Sequence, residues 1–458
     1  MFSEHRASTT STRRTPTGLL SLALTLALPL VGVEREAAAQ VQACRDCNVI
    51  LIAIDTLRAD HLGTYGYDRS TSPNIDAFAE EARVFTNFYS NSSWTVPSFS
   101  AMFTSLYPSD VKMQLPADKL DDRFTTIAEI LKQNGYATVG FNSPTPVSRN
   151  GGFFQGFDSF TVVQPDRQLQ DTTLLVPQAL EWLDANKDKK FFMFFHTFEV
   201  HDPFCPPDEF DRFRGSDETV TLGCVDIVAI SKHNRGEESL STEDLVRVAG
   251  LYDADLLHAD HNLGTFFDRL EAEGLFENTI VVVTADHGEE LGERDVVGHG
   301  YSLSNELVHV PLIIKAPNLS PGTESNNAST IDIAPTILEL VGIARPAYFK
   351  GRTLTELGGG RIIYQETSAP LDLIRELDRI IASAQAGQNE VRQSIVPALK
   401  ESIIQSNWKY TVDNATDTRE LYDLRADPGE ERNLIGIDAR QARALRETFE
   451  AFRRDRVP

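Results

Sequence analysis

The stretch Asn48-Val49-Ile50-Leu51-Ile52-Ala53-Ile54-Asp55 is an apolar run that ends abruptly in a carboxylate. Apolarity that is continuous rather than alternating is typical of a strand buried on both faces of a sheet. Four further runs have the same character, at 137–141, 191–195, 280–284 and 310–314. The pattern therefore predicts an α/β fold whose strands are buried on both faces of the sheet.

Helical patterns lie between these runs. Apolar residues at helical spacing over 245–270 predict a long amphipathic helix that covers the sheet, and 331–341 predicts another helix. The composition changes at the glycines of 357–360, which indicates a linker. We therefore expect a large domain at 40–357.

Beyond the linker, the apolar segments 403–404 and 408–412 flank a turn at Ser406-Asn407. Two short apolar segments on either side of a turn are typical of a hairpin. We expect a small C-terminal α+β subdomain with an antiparallel sheet at 358–458.

The N-terminus has the three-part pattern of a secretory signal peptide. Its basic residues, apolar run and small residues are Arg6, Arg13 and Arg14, then 19–33, then 37–39. We expect a signal peptide at 1–39 and a periplasmic or secreted protein. A retained membrane anchor is the alternative, but the apolar run falls short of the ~20 residues that span a bilayer. Arg13-Arg14 leaves open whether export follows the general or the twin-arginine route.

The chain carries 43 Lys and Arg against 67 Asp and Glu, a formal charge of −24. No basic patch stands out, which argues against nucleic acid as a partner. No further segment is long and apolar enough to predict a stable membrane span. An anionic ester remains compatible with this charge, because a metal ion can bind an anion locally.

Four cysteines fit an oxidising compartment. Their proximity along the chain suggests two local disulfides, Cys44 with Cys47 and Cys205 with Cys224. A zinc site formed by all four cysteines is the competing interpretation, although the second pair lacks the close spacing of such sites.

Polar residues follow three of the apolar runs. Asp55 follows the first, His196 and His201 follow 191–195, and Asp286-His287 follows 280–284. Ligands of open α/β sheets bind outside the carboxyl ends of the strands, so these side chains converge if the strands are parallel. Each residue alone also fits a cap, a turn or a packed histidine. Together, acids and imidazoles at one edge predict a metal site.

The stretch Ser92-Ser93-Trp94-Thr95-Val96-Pro97-Ser98 has the composition of a helix N-terminus, with several hydroxyls around a proline. Capping requires one of these hydroxyls. Thr95 is therefore either a cap or a residue aimed at a substrate.

These residues resemble the motifs of the sulfatase family of the alkaline-phosphatase superfamily. The resemblance covers nearly the whole chain after residue 39, in the right order. The motifs are Asn48 through Asp55-Thr56-Leu57-Arg58-Ala59-Asp60, Trp94-Thr95-Val96-Pro97-Ser98, His196 through His201-Asp202-Pro203, Thr284-Ala285-Asp286-His287-Gly288-Glu289-Glu290, Gly298-His299-Gly300 and Glu420-Leu421-Tyr422-Asp423-Leu424.

The resemblance implies an alkaline-phosphatase/sulfatase-like fold, with a large, mostly parallel sheet sandwiched by helices and a C-terminal subdomain with a small antiparallel sheet. It also implies the residue roles. Asp55, Asp286 and His287, together with Thr95, match metal ligands, and Thr95 also matches the nucleophile. His201 and His299 match positions that contact the ester or its leaving group. Asn142 and His196 are further candidates for substrate binding at the same edge.

Two departures from the family pattern change the expected chemistry. Sulfatases in the strict sense carry a Cys or Ser that is converted to an aldehyde hydrate, followed by Pro and Arg. Here Thr95 cannot give that aldehyde, and Phe99 stands in place of the arginine. Asp55-Thr56 and Asp286-His287 offer fewer carboxylates than a calcium site, which favours one manganese or zinc ion over calcium. A second metal is possible, although no second full ligand set is evident.

A threonine at this position resembles the superfamily's phosphodiesterases and phospho-alcohol transferases. We therefore expect an exported, metal-dependent hydrolase of phosphoric or phosphonic (di)esters that uses Thr95 to form a covalent intermediate. The alternatives are a sulfuric ester hydrolase, a phospho-alcohol transferase, and a non-catalytic binding protein with the sulfatase fold. The sequence leaves the oligomeric state open.

Overall fold

The structure is a computed structural model that describes residues 42–115, 118–143, 151–163, 171–213, 224–354, 360–368 and 400–456. The predicted signal peptide at 1–39 and most of the predicted linker at 357–360 lie outside these ranges. None of the helices within the described residues combines the length and apolarity that crossing a membrane would require.

The described strands are β1 (Asn48–Ile54), β2 (Arg83–Phe85), β3 (Phe88–Tyr89), β4 (Ala137–Asn142), β5 (Ser159–Val162), β6 (Phe191–Thr197), β7 (Thr279–Thr284), β8 (Glu290–Leu291), β9 (Val297–Gly298), β10 (Leu312–Lys315), β11 (Gly322–Glu324), β12 (Ala328–Ser329), β13 (Ile362–Thr367), β14 (Lys400–Gln405), β15 (Trp408–Asp413) and β16 (Thr418–Asp423). The described α-helices are α1 (Pro73–Glu80), α2 (Thr95–Thr104), α3 (Pro108–Val111), α4 (Ile127–Gln133), α5 (Asp171–Asn186), α6 (Ile227–Asn234), α7 (Thr242–Ala272), α8 (Asn305–Val308), α9 (Ile333–Leu340) and α10 (Ala439–Arg456).

Eight strands form the main sheet, in the order β11-β2-β10-β7-β1-β6-β4-β5. Strand β1 lies between β6 and β7 and is parallel to both. These three strands are buried along their whole length, as continuous apolarity predicts for a sheet covered on both faces. The predicted α/β class with a mostly parallel sheet is confirmed.

Strand β10 is the exception among the predicted central strands, because it runs antiparallel to β7 and to β2. A parallel return requires a crossover that carries the chain back to the opposite end of the sheet. The connection from β7 to β10 instead contains two short strands and the four-residue helix α8. The chain therefore re-enters the sheet from the carboxyl end of β7.

Helix α7 corresponds to the long helix predicted from the apolar spacing. It begins after Ser241, whose hydroxyl accepts a hydrogen bond from the backbone N–H of Asp244. Its buried stripe includes Val248, Leu251 and Leu263, and the helix packs against α5 and α1. Amphipathic burial thus holds one layer of helices on the sheet.

The C-terminal residues form a four-stranded antiparallel sheet, β13-β14-β15-β16, as predicted. Leu445 and Phe449 of α10 share an apolar cluster with Tyr410 of this sheet. The same cluster includes Tyr107 and Ile331 of the larger part of the chain. Residues 40–458 form one compact unit, and the boundary at 357/358 stays a prediction.

Candidate active site

The carboxyl ends of β1, β6 and β7 meet at one edge of the main sheet. Ala53 of β1 pairs with His196 of β6 and with Thr284 of β7. Asp55 and Asp286 each lie two residues beyond these paired positions. The register of three parallel strands therefore brings these two acids to the same edge.

Asp55, Asp286 and His287 form a fully buried cluster, and each offers a ligand atom within 4.8 Å of the others. His287 Nε2 lies 3.3 Å from Asp286 Oδ2 and 3.6 Å from Asp55 Oδ1. Oδ1 of Asp55 and both carboxylate oxygens of Asp286 are nevertheless without a hydrogen-bond partner. Buried carboxylate oxygens of this kind are costly unless they coordinate a cation.

The imidazole of His287 also has the arrangement of a metal ligand. Its Nδ1 lies 2.9 Å from the carbonyl oxygen of Gly288, so Nδ1 carries the proton. The lone pair of Nε2 then faces the two acids. A neutral imidazole with its second nitrogen bound to a carbonyl is the usual form of a metal-binding histidine. These three residues fit a divalent cation.

Burial shifts the pKa values of all three groups. It raises the pKa of Asp55 to about 7, although the nearby His201 and His299 act in the opposite direction. Burial, and then the charge of Asp55, raise the pKa of Asp286 well above its usual range, and burial lowers the pKa of His287. Such shifts are expected where acids are buried without a counter-charge.

No second cluster of potential metal ligands appears within the described part of the chain. Asp260 and His258, which lie in α7 near His261, have other partners. Asp260 accepts hydrogen bonds from the backbone N–H groups of Asn74 and Ile75, and His258 pairs with Glu199 at 2.7 Å. The described residues therefore provide one metal site.

Thr95 is the first residue of α2 and lies against this cluster. Its Oγ1 is 3.3 Å from Nε2 of His287, and its exposed fraction is 5%. No side chain caps α2, whose N-cap is Trp94, and the hydroxyl of Ser98 instead donates to the carbonyl oxygen of Ser92. Thr95 therefore does not cap the helix. Its hydroxyl is free for chemistry at a positively polarised helix N-terminus.

Asn142 and His196 lie behind Asp55. Their Cα atoms are partners in the pairing of β4 with β6. Nδ1 of His196 contacts Oδ1 of Asn142, and its Nε2 lies 3.0 Å from Oδ2 of Asp55. Both residues are fully buried, and both ring nitrogens have partners. These contacts connect the pair to Asp55, and the substrate-binding role that the sequence suggests stays a prediction.

Phe99, which the resemblance places at the position of the family's arginine, belongs to the core. It is fully buried, and its ring packs edge-on against the His196 imidazole at 4.6 Å between centroids. The buried Arg58 does not replace the missing charge, because it pairs with Asp60 and Glu293. The cationic groups near Asp55 are therefore imidazoles.

His201 and His299 lie on the open side of the cluster, with ring centroids 4.9 Å apart, and the His299 centroid is 4.5 Å from that of His287. Nδ1 of His201 is 2.8 Å from Oδ1 of Asp202, and Nδ1 of His299 is 2.8 Å from Oε1 of Glu289. Burial disfavours the charged imidazole of His201, but Asp202, Asp55 and Glu289 together outweigh burial and raise the pKa to about 10. Burial likewise disfavours the charged imidazole of His299, and Glu289 together with Asp202 raises its pKa. Both imidazoles can carry and donate a proton.

The sequence did not single out the carboxylates that support these histidines. Asp202 and Glu289 lie within the quoted motifs, so their positions were visible but their partners were not. Asp171, at the start of α5, was missed altogether. Its Oδ2 accepts a hydrogen bond of 2.7 Å from the N–H of Phe198 and another from the hydroxyl of Ser143, which holds the loop that carries His201.

Both suggested cysteine pairs are joined in the structure, Cys44 to Cys47 and Cys205 to Cys224. Cys205 lies four residues beyond His201, and its N–H donates to Asp255 Oδ2 of α7 at 2.9 Å. The second disulfide therefore lies near the border of the site.

A cavity of about 640 Å³ lies elsewhere in the described residues. It is lined by residues such as Tyr65, Tyr89, Glu306 and Arg425, and by none of the residues of the metal cluster. Cavity volume alone therefore does not identify the site. The buried, unpartnered carboxylates and the nearby hydroxyl favour the sheet edge instead.

Comparisons with known proteins identify the family of the chain. A family model described as Sulfatase matches residues 47–343. The multifunctional alkaline phosphatase superfamily protein PehA of Trinickia caryophylli is 24% identical over 86% of this chain and 92% of its own length. The choline-sulfatase of Rhizobium meliloti is 23% identical over 84% of this chain and 82% of its own length.

A solved structure, the phosphonate monoester hydrolase of Agrobacterium radiobacter, superposes with a TM-score of 0.70 at 20% identity. The superposition covers 89% of this chain and 95% of that one. At this level of identity the likeness shows the fold.

Proposed function

The chain belongs to the sulfatase family and is an ester-bond hydrolase, and from this premise we propose that it cleaves phosphoric or phosphonic (di)esters with Thr95 as nucleophile. The observation that carries the proposal is the position of the Thr95 hydroxyl, 3.3 Å from Nε2 of His287 beside two buried, unpartnered aspartates. A hydroxyl that neither caps its helix nor faces solvent has no evident structural use there.

The sulfatase family is metal-dependent, and Asp55, Asp286, His287 and Thr95 would hold the ion here. When bound by these residues, a divalent cation would lower the pKa of the Thr95 hydroxyl and offset developing negative charge. Two carboxylates and one imidazole favour manganese or zinc over calcium, which prefers an all-oxygen cage. The identity of the metal is part of the proposal.

Thr95 and the two imidazoles then have different roles in the reaction. Thr95 enters as its alkoxide and forms a bond from Oγ1 to phosphorus, while the bond from phosphorus to the leaving oxygen breaks. The leaving oxygen takes a proton from the imidazolium pair His201 and His299. Water then attacks phosphorus and returns one proton to the same imidazole, and Thr95 leaves as the alkoxide. The net reaction consumes one water per ester.

A threonine at this position resembles the phosphodiesterases and phospho-alcohol transferases of the superfamily, which supports phosphorus over sulfur. An aldehyde hydrate can release its bound group by forming a carbonyl, without a second attack at the central atom. Threonine has no such route, so water must attack the phosphorus or sulfur of the intermediate directly. Two relatives named above, the phosphonate monoester hydrolase and PehA, are consistent with phosphorus chemistry.

A sulfuric ester hydrolase is the second candidate. Relatives named as sulfatases support it, among them choline-sulfatase and an ulvan-active sulfatase of Formosa agariphila that is 26% identical over 68% of this chain and 64% of that protein. The same nucleophile would then form a sulfated threonine.

The test is an assay of metal-reconstituted protein on 4-nitrophenyl phenylphosphonate, bis(4-nitrophenyl) phosphate and 4-nitrophenyl sulfate. We expect higher kcat/KM on the two phosphorus esters, at least about 1,000-fold lower activity in Thr95→Ala, and partial retention in Thr95→Ser. Thr104→Ala is the matched control, because Thr104 is a buried threonine at the other end of α2 that donates to the Ser100 carbonyl. Full activity of Thr95→Ala would overturn the proposal, and preference for the sulfate would select the second candidate.

We also propose that the protein is exported and loses residues 1–39. The two disulfides support an oxidising compartment. The intact mass of protein purified from the native periplasm or medium would show a start near Gln40. A full-length cytoplasmic protein with reduced cysteines would contradict it.

A further inference from the structure

Glu289 is a buried carboxylate beside the candidate active site that the metal cluster does not use. It is fully buried, its Oε1 lies 2.8 Å from Nδ1 of His299, and its Oε2 has no hydrogen-bond partner. The metal-ligand cluster contains Asp55, Asp286 and His287 but not Glu289. The contact with His299 is therefore the side chain's one hydrogen bond in the described residues.

The backbone on both sides of the Glu289 side chain is fixed. The N–H of Gly288 donates to the carbonyl oxygen of Leu307 at 2.9 Å, and a Cβ at Gly288 would lie 2.0 Å from the carbonyl oxygen of Glu306. The guanidinium of Arg58 donates to the carbonyl oxygen of Glu289 at 3.1 Å. Only a glycine fits before Glu289, and the carboxylate that follows is held in one place.

This placement constrains His299. A carboxylate accepts, so Nδ1 of His299 carries a proton toward Glu289 and Nε2 is the atom left for other partners. The ring centroid lies 4.5 Å from that of His287, whose Nε2 contacts Thr95, and 4.9 Å from that of His201. His201, in contrast, stacks on Phe198 at 4.1 Å. His299 is thus the imidazole that lies next to His287, the residue that contacts the Thr95 hydroxyl.

We propose that Glu289 is a positioning residue that holds Nδ1 of His299, so that Nε2 gives its proton to the leaving oxygen. This inference rests on the proposed function and assigns one of its two imidazoles to the step. As the bond from phosphorus to the leaving oxygen breaks, the proton on Nε2 moves to that oxygen and the ring becomes neutral. The proton on Nδ1 stays on the ring, Glu289 stays ionised, and the attacking water later restores the proton on Nε2.

The test is the dependence of the rate on the leaving group. Protonation of the leaving oxygen strongly affects the rate for phenyl phenylphosphonate, which has a poor leaving group. It affects the rate for 4-nitrophenyl phenylphosphonate only a little. We expect Glu289→Leu to lower kcat about 100-fold on the phenyl ester and less than about 5-fold on the 4-nitrophenyl ester, with KM unchanged. Glu289→Gln, which keeps an oxygen acceptor, should recover part of the loss.

Glu290→Gln is the matched control. Glu290 is the next residue, equally buried, and also has an unpartnered Oε2, but its Oε1 binds Ser304 and Arg294 instead of a histidine. We expect no change in leaving-group dependence there. If Glu289→Leu does not fold, Glu289→Gln is compared with Glu290→Gln instead. We then expect kcat of Glu289→Gln to fall about 10-fold on the phenyl ester and to stay unchanged on the 4-nitrophenyl ester.

A second measurement does not depend on activity. The chain has ten histidines, so ring N–H signals of the metal-free protein labelled with ¹⁵N-histidine can be assigned with a His299→Gln variant. The Nδ1–H signal of His299 should be present in Glu290→Gln and lost in Glu289→Leu. Equal losses on both esters, or a persistent Nδ1–H signal in Glu289→Leu, would overturn the inference. A wild type inactive on both esters would instead contradict the proposed function, while the spectra still decide the pairing.

Discussion

Asp286 and Asp332 are both fully buried aspartates, but they are buried in opposite ways. Asp332, beside the start of α9, accepts hydrogen bonds of 2.8 Å from the N–H groups of Ser329 and Arg352 and pairs with the guanidinium of Arg361. Neither carboxylate oxygen of Asp286 accepts a hydrogen bond. A carboxylate satisfied by its own chain stabilises the fold, whereas one without a partner is set up for a ligand.

Asp286→Asn should produce the largest effect, because it removes a metal ligand. We expect at least about a 1,000-fold loss of kcat/KM. A loss of this size corresponds to the several kcal/mol of charge stabilisation that a bound metal supplies in the transition state. The metal-free variant should melt at a higher temperature than metal-free wild type, since it no longer buries an ionisable carboxyl group that has no hydrogen-bond partner. An activity assay of the metal-reconstituted variant gives the loss of kcat/KM, and calorimetry of the chelator-treated protein gives the melting temperature. A variant that keeps its metal and activity would remove Asp286 from the site.

Asp332→Asn should have the opposite signature. Breaking a buried pair from one side leaves Arg361 uncompensated, and we expect a loss of about 3 kcal/mol in the free energy of unfolding. Metal content and activity per folded molecule should match wild type. Denaturant unfolding followed by metal analysis gives both values. Loss of metal with unchanged stability would erase the distinction between the two aspartates.

His196→Ala should have an intermediate effect, because His196 acts through Asp55. Residues that orient metal ligands typically contribute 10- to 100-fold in metal affinity. We expect a loss of about that size, and a smaller loss in Asn142→Ala, which frees only Nδ1 of His196. Metal titration of the purified variants measures the loss of metal affinity. Unchanged metal affinity with a raised KM would favour the substrate-binding role.

The smallest effect is a pH dependence confined to the metal-free protein. Burial raises the folded-state pKa of Asp55 from 3.8 to about 7, so the folded state holds the proton more tightly than the unfolded state. This contribution to stability is present below about pH 4 and is lost as the pH rises toward 7. Metal-free wild type should therefore melt at a lower temperature at pH 8 than at pH 5, more so than Asp55→Asn. A flat profile that matches the variant would contradict the shift.

Part of the fold and of the candidate site could be predicted from the sequence, and part of it could not. Asp55 and Asp286-His287 were predicted because each follows a continuous apolar run, and such runs mark buried parallel strands. The contact of His196 with Asn142 depends on β4 lying next to β6, and strand order is not written in local periodicity. The pairing of Glu289 with His299 depends on an irregular loop that only the folded backbone defines. The antiparallel direction of β10 likewise depends on the irregular connection from β7 to β10, which only the folded backbone defines.

The central claim is that the Thr95 hydroxyl is the nucleophile of the buried metal cluster. Its most direct test is rapid acid quench of metal-reconstituted protein during turnover of 4-nitrophenyl phenylphosphonate, followed by peptide mass mapping. We predict a phenylphosphonyl adduct on Thr95 that is absent from Thr95→Ala and present in Thr104→Ala. Turnover with no adduct on Thr95, together with full activity of Thr95→Ala, would contradict the claim.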